Sequence, residues 1–228
     1  MPSGKSYVEW NEEMVRRYDP GAYHERSSVL IRALERQRTR RIVRLLGATP
    51  NHRILEVGVG AGNVLERVPG ARRVGIDLSS RVLGAARRRL GETATLVRGD
   101  AAVLPFGRAT FDRVICSEVL EHLPDPGAAV AEIARVVKPD GVVVLSVPNE
   151  ALIDRLKRIM GRTHLLPLLS TAGYHVPHSM KDEWHLHEFD LALLRRVAEP
   201  HLMIDRTSGV PHSSFPIRWV ARCLPLAR

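Results

Sequence analysis

Arg53-Ile54-Leu55-Glu56-Val57-Gly58-Val59-Gly60-Ala61-Gly62-Asn63 decides how the rest of the chain is read. Its first five residues are apolar enough for a short buried strand. Glycine then falls at every second position, at 58, 60 and 62. Glycine takes backbone angles barred to other residues and lets a ligand come close to the main chain. A helix starting just beyond would present free N–H groups to that ligand. Asn63 stands where the dinucleotide fingerprint G-x-G-x-x-G needs its third glycine, so a pyrophosphate grip is not expected. A ligand carrying an ammonium and a carboxylate does not need that grip. Glu56 is an acid inside an apolar strand. It either organises the site of a cationic ligand or is tied to local backbone N–H groups.

Outward from this stretch, strands and helices alternate. Upstream, Ser27 or Ser28 can cap a helix. Leu30, Leu34, Ile42, Leu45 and Leu46 give that helix an imperfect apolar stripe, and Gly47 stops it. Residues 1–26 read as polar and irregular, with Tyr7, Trp10, Tyr18 and Tyr23 spaced through them. Downstream, a short helix is expected at 63–68, before Pro69-Gly70. A second strand at 73–76 ends at Asp77, and Ser79 caps a helix running to Leu90. A third strand at 95–98 ends at Gly99-Asp100, and a fourth covers 112–116. Asp125 then caps a helix with Pro126 at its first position, which suits proline's fixed φ. Val130, Ile133, Ala134 and Val137 share one face of it. Pro139-Asp140-Gly141 is expected to turn the chain into a fifth strand at 142–147. The period weakens over 151–187, which reads as an insertion. A helix at 190–198 and strands near 203–207 and 217–223 follow. Short apolar strands alternating with amphipathic helices build a parallel sheet covered on both faces. Such sheets bind ligands at the carboxyl ends of their strands.

Composition excludes several classes. The chain has 228 residues, 44% hydrophobic and 26% charged, which is close to a globular average rather than a disordered or fibrous one. No stretch approaches ~18 uncharged apolar residues, so no membrane-spanning helix is expected. Residues 1–18 carry no apolar run ahead of a small-residue cleavage site, and a secretory signal is not expected. Two cysteines, Cys116 and Cys223, are too few for a disulfide framework, so a cytoplasmic location is expected. The net charge of +9 comes mostly from arginines spread over the polar faces of expected helices, which favours a solvated surface over a polyanion-binding one.

The polar residues at the strand ends carry the chemistry. Asp77 follows Gly58 by nineteen residues, and a carboxylate there can accept both hydroxyls of a ribose. Asp100 can accept from an adenine amino group, while Ala101 offers a backbone N–H. Past the fourth strand lies Cys116-Ser117-Glu118-Val119-Leu120-Glu121-His122. Ser117 and Glu118 can reach the ligand's amino-acid end, and His122 is a candidate general base. His175, His178, His185 and His187 are spaced in a way that invites a metal. No cysteine joins them, and no metal site is expected.

These motifs together resemble the class I S-adenosylmethionine-dependent methyltransferases, in particular their type 11 small-molecule group. The likeness runs through ILEVGVGAGN at 54–63, VGIDLS at 74–79, VRGDAAVLPF at 97–106, FDRVICSEVLEHLPDP at 111–126 and VKPDGVVVLSVPN at 137–149. HLHEFDLALLRRV at 185–197 resembles a later segment of the same family. The resemblance implies an α/β fold, a Rossmann-like sheet of seven mostly parallel strands whose last strand is antiparallel. It implies a helical cap over residues 1–47 and a methyltransferase domain over 48–228, with the insertion covering the acceptor. It implies S-adenosyl-L-methionine as cofactor: Gly58, Gly60 and Gly62 at the methionine part, Asp77 on the ribose, Leu78 on the adenine face, Asp100 and Ala101 at the adenine edge, and Ser117 near the sulfonium.

The acceptor is expected to be a small hydrophobic or aromatic molecule, because Trp10, Tyr18, Tyr23, Met160, Leu165, Leu166, Tyr174 and Trp184 fall in the covering segments. The same residues could simply pack a lid. Whether O, N or C is methylated stays open, as does a homo-oligomer. Two alternatives stand beside this reading. A nucleic-acid methyltransferase would fit the +9 charge but lacks the N/D-P-P-Y/F motif after the fourth strand, where CSEVLEH stands. The other is a silent cofactor-binding partner subunit, and the intact Glu56, Asp77 and Asp100 argue against loss of the cofactor site. A nicotinamide oxidoreductase is disfavoured by Asn63.

Overall fold

A computed structural model describes residues 6–18, 27–70, 72–162 and 184–226. Tyr23, Leu165, Leu166, Tyr174, His175 and His178 lie outside the described residues.

The sheet grows around β1 (Arg53–Val57). β2 (Arg72–Asp77) and β3 (Thr95–Arg98) lie on one side of it, and β4 (Phe111–Ser117) and β5 (Val137–Pro148) on the other. β6 (Leu202–His212) and β7 (Phe215–Pro225) complete seven strands in the order β3-β2-β1-β4-β5-β7-β6. β1 to β5 pair in parallel, whereas β7 runs antiparallel to both β5 and β6. Strand order reverses between β1 and β4, which opens a crevice at their carboxyl ends.

Six helices cover the sheet among the described residues: α1 (Tyr7–Tyr18), α2 (Val29–Leu46), α3 (Ser80–Leu90), α4 (Pro126–Val136), α5 (Glu150–Arg162) and α6 (Leu191–Ala198). On one face, Val130, Ile133 and Val136 of α4 and Leu194 of α6 pack onto Leu55, Val57, Val114 and Leu145. On the other, Ile42, Leu45 and Leu46 of α2 and Leu83, Ala86 and Leu90 of α3 pack onto Ile54, Ile115, Val144 and Val220. Burial on both faces is why β1, β4 and β5 read as continuous apolar runs rather than alternating ones. Four helices start on side-chain caps. The oxygens of Ser28, Ser79, Asp125 and Asp190 accept the N–H groups of Ile31, Val82, Ala128 and Leu193. Gly47 ends α2 with φ 57°, a conformation that favours glycine.

The structure departs from the sequence reading in four places. Residues 7–18 are helical, not irregular. The helix buries Trp10 and Val15, a stripe too thin for periodicity to reveal. The helix expected at 63–68 is a single 3₁₀ turn over Leu65–Arg67. Pro139-Asp140-Gly141 lies inside β5, because Val137 already pairs with Phe111 before a bulge resumes pairing at Val142 and Arg113. The weakly periodic segment after Asn149 begins as α5, whose inner positions include the buried Glu150 and Lys157, and polar residues there blur the stripe. Among the described residues, no helix is long and apolar enough to cross a membrane.

Candidate active site

The strand tips open into a cavity of about 590 Å³, within the usual range for small-molecule sites. β1, β2, β3 and β4 floor it. α1, α2, α5 and the β6–β7 hairpin wall it. Of the residues singled out in the sequence, Glu56, Gly58, Gly60, Asp77, Leu78, Asp100, Ala101, Ser117 and His122 all line this cavity. Gly62 is placed otherwise. Its φ is 81°, and a Cβ there would stand 2.9 Å from Leu90 Cδ1, so α3 packs where a side chain would lie.

The loop after β1 is held by the site it serves. Gly60 N–H donates to Asp77 Oδ2 at 2.9 Å, and Ser79 N–H donates to Asp77 Oδ1 at 3.0 Å. Asp77 is thus fixed at the tip of β2 with lone pairs left on both oxygens. Burial raises its pKa, and the two backbone donors work against that rise. Gly58, at φ 70°, passes so close to Val119 that a Cβ would meet Cγ2 at 2.2 Å. No atom lies within 4 Å of the Cβ position of Gly60. Asp100 Oδ1 accepts Ala102 N–H at 2.9 Å, which fixes the β3 tip in the same way.

Glu56 is 2% exposed, and its Oε2 has no hydrogen-bond partner. Burial pushes its pKa up to about 8, against the pull of Leu65's backbone and of Arg38. A buried, unpartnered carboxylate oxygen is costly. It is the group an incoming ammonium would satisfy.

Three features were missed in the sequence. Arg38 is 4% exposed and lies on the inner face of α2. It pairs with Glu35 at 2.6 Å and donates to Ser117 Oγ. Arg218, from β7, pairs with Glu118 at 2.6 Å. Glu35, Arg38, Glu118 and Arg218 form a charge-balanced quartet on the cavity wall. The signal was present: Ile31, Arg38, Ile42 and Leu45 share the inward stripe of α2, so Arg38 is a cation at a core position. The second feature is α1, which closes the cavity over the cofactor end. Tyr7 Oη donates to the His122 carbonyl at 3.3 Å, and Glu12 accepts from Ser79 Oγ at 2.9 Å and Ser80 N–H at 2.8 Å. Hydrogen bonds from Ser79 and Ser80 hold the Glu12 carboxyl below its usual pKa in spite of some desolvation. The third is Glu121, which is 1% exposed and stands beside His122.

His122 lies under Trp184 and His185, with ring centroids 4.5 and 4.9 Å away. Burial, and then His185, lower its pKa to about 3. The ring is a neutral lone-pair donor throughout the physiological range. His187 has moved out of contention as a ligand group, since its Nε2 hydrogen-bonds the Leu123 carbonyl at 2.9 Å.

The sheet is Rossmann-like, with β7 inserted antiparallel and acids at the β1, β2 and β3 tips. Residues 55–145 match the family model described as a methyltransferase domain. The ubiquinone biosynthesis O-methyltransferase of Aromatoleum aromaticum is 38% identical over 123 residues, which is 51% of this chain and 53% of that protein. The protein of the same name from Thiobacillus denitrificans is 39% identical over 126 residues, 51% of this chain and 53% of its own. The chain therefore spans about half the length of the curated relatives it matches. Among solved structures, the N-methyltransferase NodS of Bradyrhizobium japonicum, in complex with S-adenosyl-L-homocysteine, superposes with a TM-score of 0.66. It covers 98% of this chain and 100% of its own at 17% identity, a likeness of fold.

Proposed function

We propose that the chain transfers a methyl group from S-adenosyl-L-methionine to a small hydrophobic or aromatic molecule. One observation carries this: a single cavity joins the acid-tipped, glycine-floored crevice of β1 to β4 to an apolar chamber lined by Ile31, Leu34, Ile153, Leu156 and Ile217. The chain's own residues suit the cofactor. Glu56 offers an unsatisfied carboxylate oxygen for an ammonium, and Arg38, which lines the same cavity, a guanidinium for a carboxylate. Asp77 would take the ribose hydroxyls, Leu78 the adenine face, and Asp100 with Ala101 the adenine edge. Gly58 and Gly60 would flank the methionine part, and Ser117 the sulfur end. When bound, the cofactor supplies an electrophilic methyl carbon.

The protein's part is then to align, to exclude water and to receive the acceptor. Holding two reactants in line can lower a barrier by ~7–11 kcal/mol in favourable cases. α1 and α2 shield the crevice, and the apolar chamber desolvates the acceptor. His122 stands at the acceptor end, where it would touch the group being methylated. The names of the relatives point to oxygen as an acceptor atom. Cys116 and Cys223 are both free and buried, which suits a cytoplasmic setting.

Calorimetry with S-adenosyl-L-homocysteine, followed by transfer of a labelled methyl to a panel of phenols, tests the reading. Stoichiometric binding together with labelled product is expected. Indifference to S-adenosyl-L-homocysteine, with uptake of NADH instead, would overturn it. His122→Ala is expected to lower turnover and leave cofactor affinity intact.

A further inference from the structure

We propose that His185, backed by Glu150, is the general base that takes the acceptor's hydroxyl proton as the methyl group is transferred. This rests on the methyl-transfer reading, with oxygen as the accepting atom. His185 lines the cavity beside His122, the two ring centroids 4.9 Å apart. Its Nδ1 lies 2.9 Å from Glu150 Oε1. A carboxylate oxygen only accepts, so Nδ1 carries the hydrogen and Nε2 keeps a lone pair.

The pair is seated before any acceptor arrives. Glu150 is 2% exposed and opens α5, whose N-terminus favours a negative group. The Glu150 N–H donates to the Phe189 carbonyl at 3.1 Å, and the Leu186 N–H to the Glu121 carbonyl at 2.8 Å. Main-chain bonds thus fix both the carboxyl and the segment that carries the imidazole. Among the described residues, His185 is the one hydrogen-bond partner of the Glu150 side chain. Buried carboxyls ordinarily serve the group they are bonded to, and here that group is a ring on the cavity wall.

The two imidazoles at this end differ in what stands behind them. His122 Nδ1 lies 3.2 Å from the Trp184 carbonyl, a neutral dipole that answers a positive ring less well than a carboxylate does. Burial, and then the charge His185 can carry, lower the His122 pKa to about 3. His122 therefore offers a lone pair that orients the hydroxyl, and does not hold its proton. Glu121 Oε1 stands 4.0 Å from His122 Nε2. Burial, and then Glu118, push the Glu121 carboxyl well above its usual range, which keeps it from competing for that proton. Behind His185, the carboxylate orients the ring and stabilises the imidazolium as it forms, the logic of an acid–histidine dyad.

The acceptor's O–H bond breaks and its proton passes to His185 Nε2. The oxygen's electron pair bonds to the methyl carbon as the carbon–sulfur bond breaks, and that bond's pair stays on sulfur, leaving S-adenosyl-L-homocysteine. The proton then passes from Nε2 to water. Glu150 touches neither reactant and is a positioning residue.

The test uses the full chain, a labelled methyl donor and phenols of graded acidity, from methoxyphenol to nitrophenol. His185→Ala is expected to slow turnover about 100–10,000-fold with the least acidic phenols. The loss should shrink steadily toward nitrophenol, which surrenders its proton unaided, and added imidazole should restore part of the rate. Glu150→Gln should show the same trend with a smaller loss. Melting temperature and S-adenosyl-L-homocysteine affinity should hold in both variants. His52→Ala, just ahead of β1 at the opposite end of the sheet, should change nothing. A purely structural histidine would slow every phenol alike. A second measurement needs no acceptor: nitrogen-15 histidine spectra should show His185 protonated on Nδ1 and bare on Nε2. A hydrogen on Nε2, or a His185→Ala loss equal across the phenols, overturns the base and leaves methyl transfer standing. A chain that binds no S-adenosyl-L-homocysteine sinks the methyl-transfer reading itself.

Discussion

The two ends of the cavity are built by opposite means. At the strand-tip end, each functional group either ends its own strand or follows it by one or two residues. Gly58 follows β1, Asp77 ends β2 and Asp100 follows β3, and backbone N–H groups hold the carboxylates. Along the rest of the cavity wall, the groups come from α2, α5, β7 and the segment before α6, and side chains hold one another. A parallel sheet delivers its strand tips to one place whatever else the chain does, so the first end can be written in short motifs. The second end exists only once distant segments have packed.

If that contrast is right, damage at the first end should be local and severe. Asp77→Ala removes the acceptor of Gly60 and Ser79 as well as the expected ribose contact. Charge-assisted hydrogen bonds are worth about 1.5–3 kcal/mol each, so S-adenosyl-L-homocysteine should bind about 100–1,000-fold more weakly by calorimetry. Near-wild-type affinity would dissolve the distinction between the two ends.

Glu56 sharpens the comparison through pH. Its folded pKa of about 8 lies above the ordinary carboxylate value. Its contribution to stability is therefore complete below the unfolded pKa and is lost as pH rises through about 8. The ligand-free chain should melt at a lower temperature at pH 9 than at pH 6, and Glu56→Gln should flatten that slope. An ammonium favours the ionised form, so cofactor affinity should climb up to about tenfold per unit as pH rises from 6 toward 8. Affinity that is flat with pH would remove Glu56 from the ammonium's partners.

A smaller effect probes the boundary between the ends. Glu12 ties α1 to the start of α3 beside the tip of β2. Glu12→Ala should speed release of S-adenosyl-L-homocysteine in stopped flow by about tenfold, from the loss of one or two such bonds. An unchanged off-rate would mean that α1 is not the element that opens. Least of all should Asp125→Ala matter to either end. It removes the α4 cap, costs about 1 kcal/mol in denaturant unfolding, and should leave ligand affinities unmoved.

The cofactor end was legible because its residues sit at fixed offsets from strands that periodicity reveals. Gly62 shows the limit of that reading. It belongs to the motif, yet Leu90 occupies the space its side chain would need. α1 and α5 were illegible for another reason. Their inner faces carry Asn11, Glu150 and Lys157, whose buried polar groups break the apolar stripe. Arg38 went unread because it stands on a core stripe as a cation, answered by Glu35 three residues earlier on the same helix and by Glu118 just past β4.

By itself the sequence determined the parallel sheet, the order of its motifs and the three acidic tips, since period-2 and period-3.6 patterns and capping residues act over a few residues. Only the tertiary structure decided which glycines line the cavity and that Arg38 meets Ser117. It also decided that Glu121 and His122 meet His185 across more than sixty residues of chain. Such meetings depend on how whole helices and loops seat on the sheet, and no local spacing encodes them.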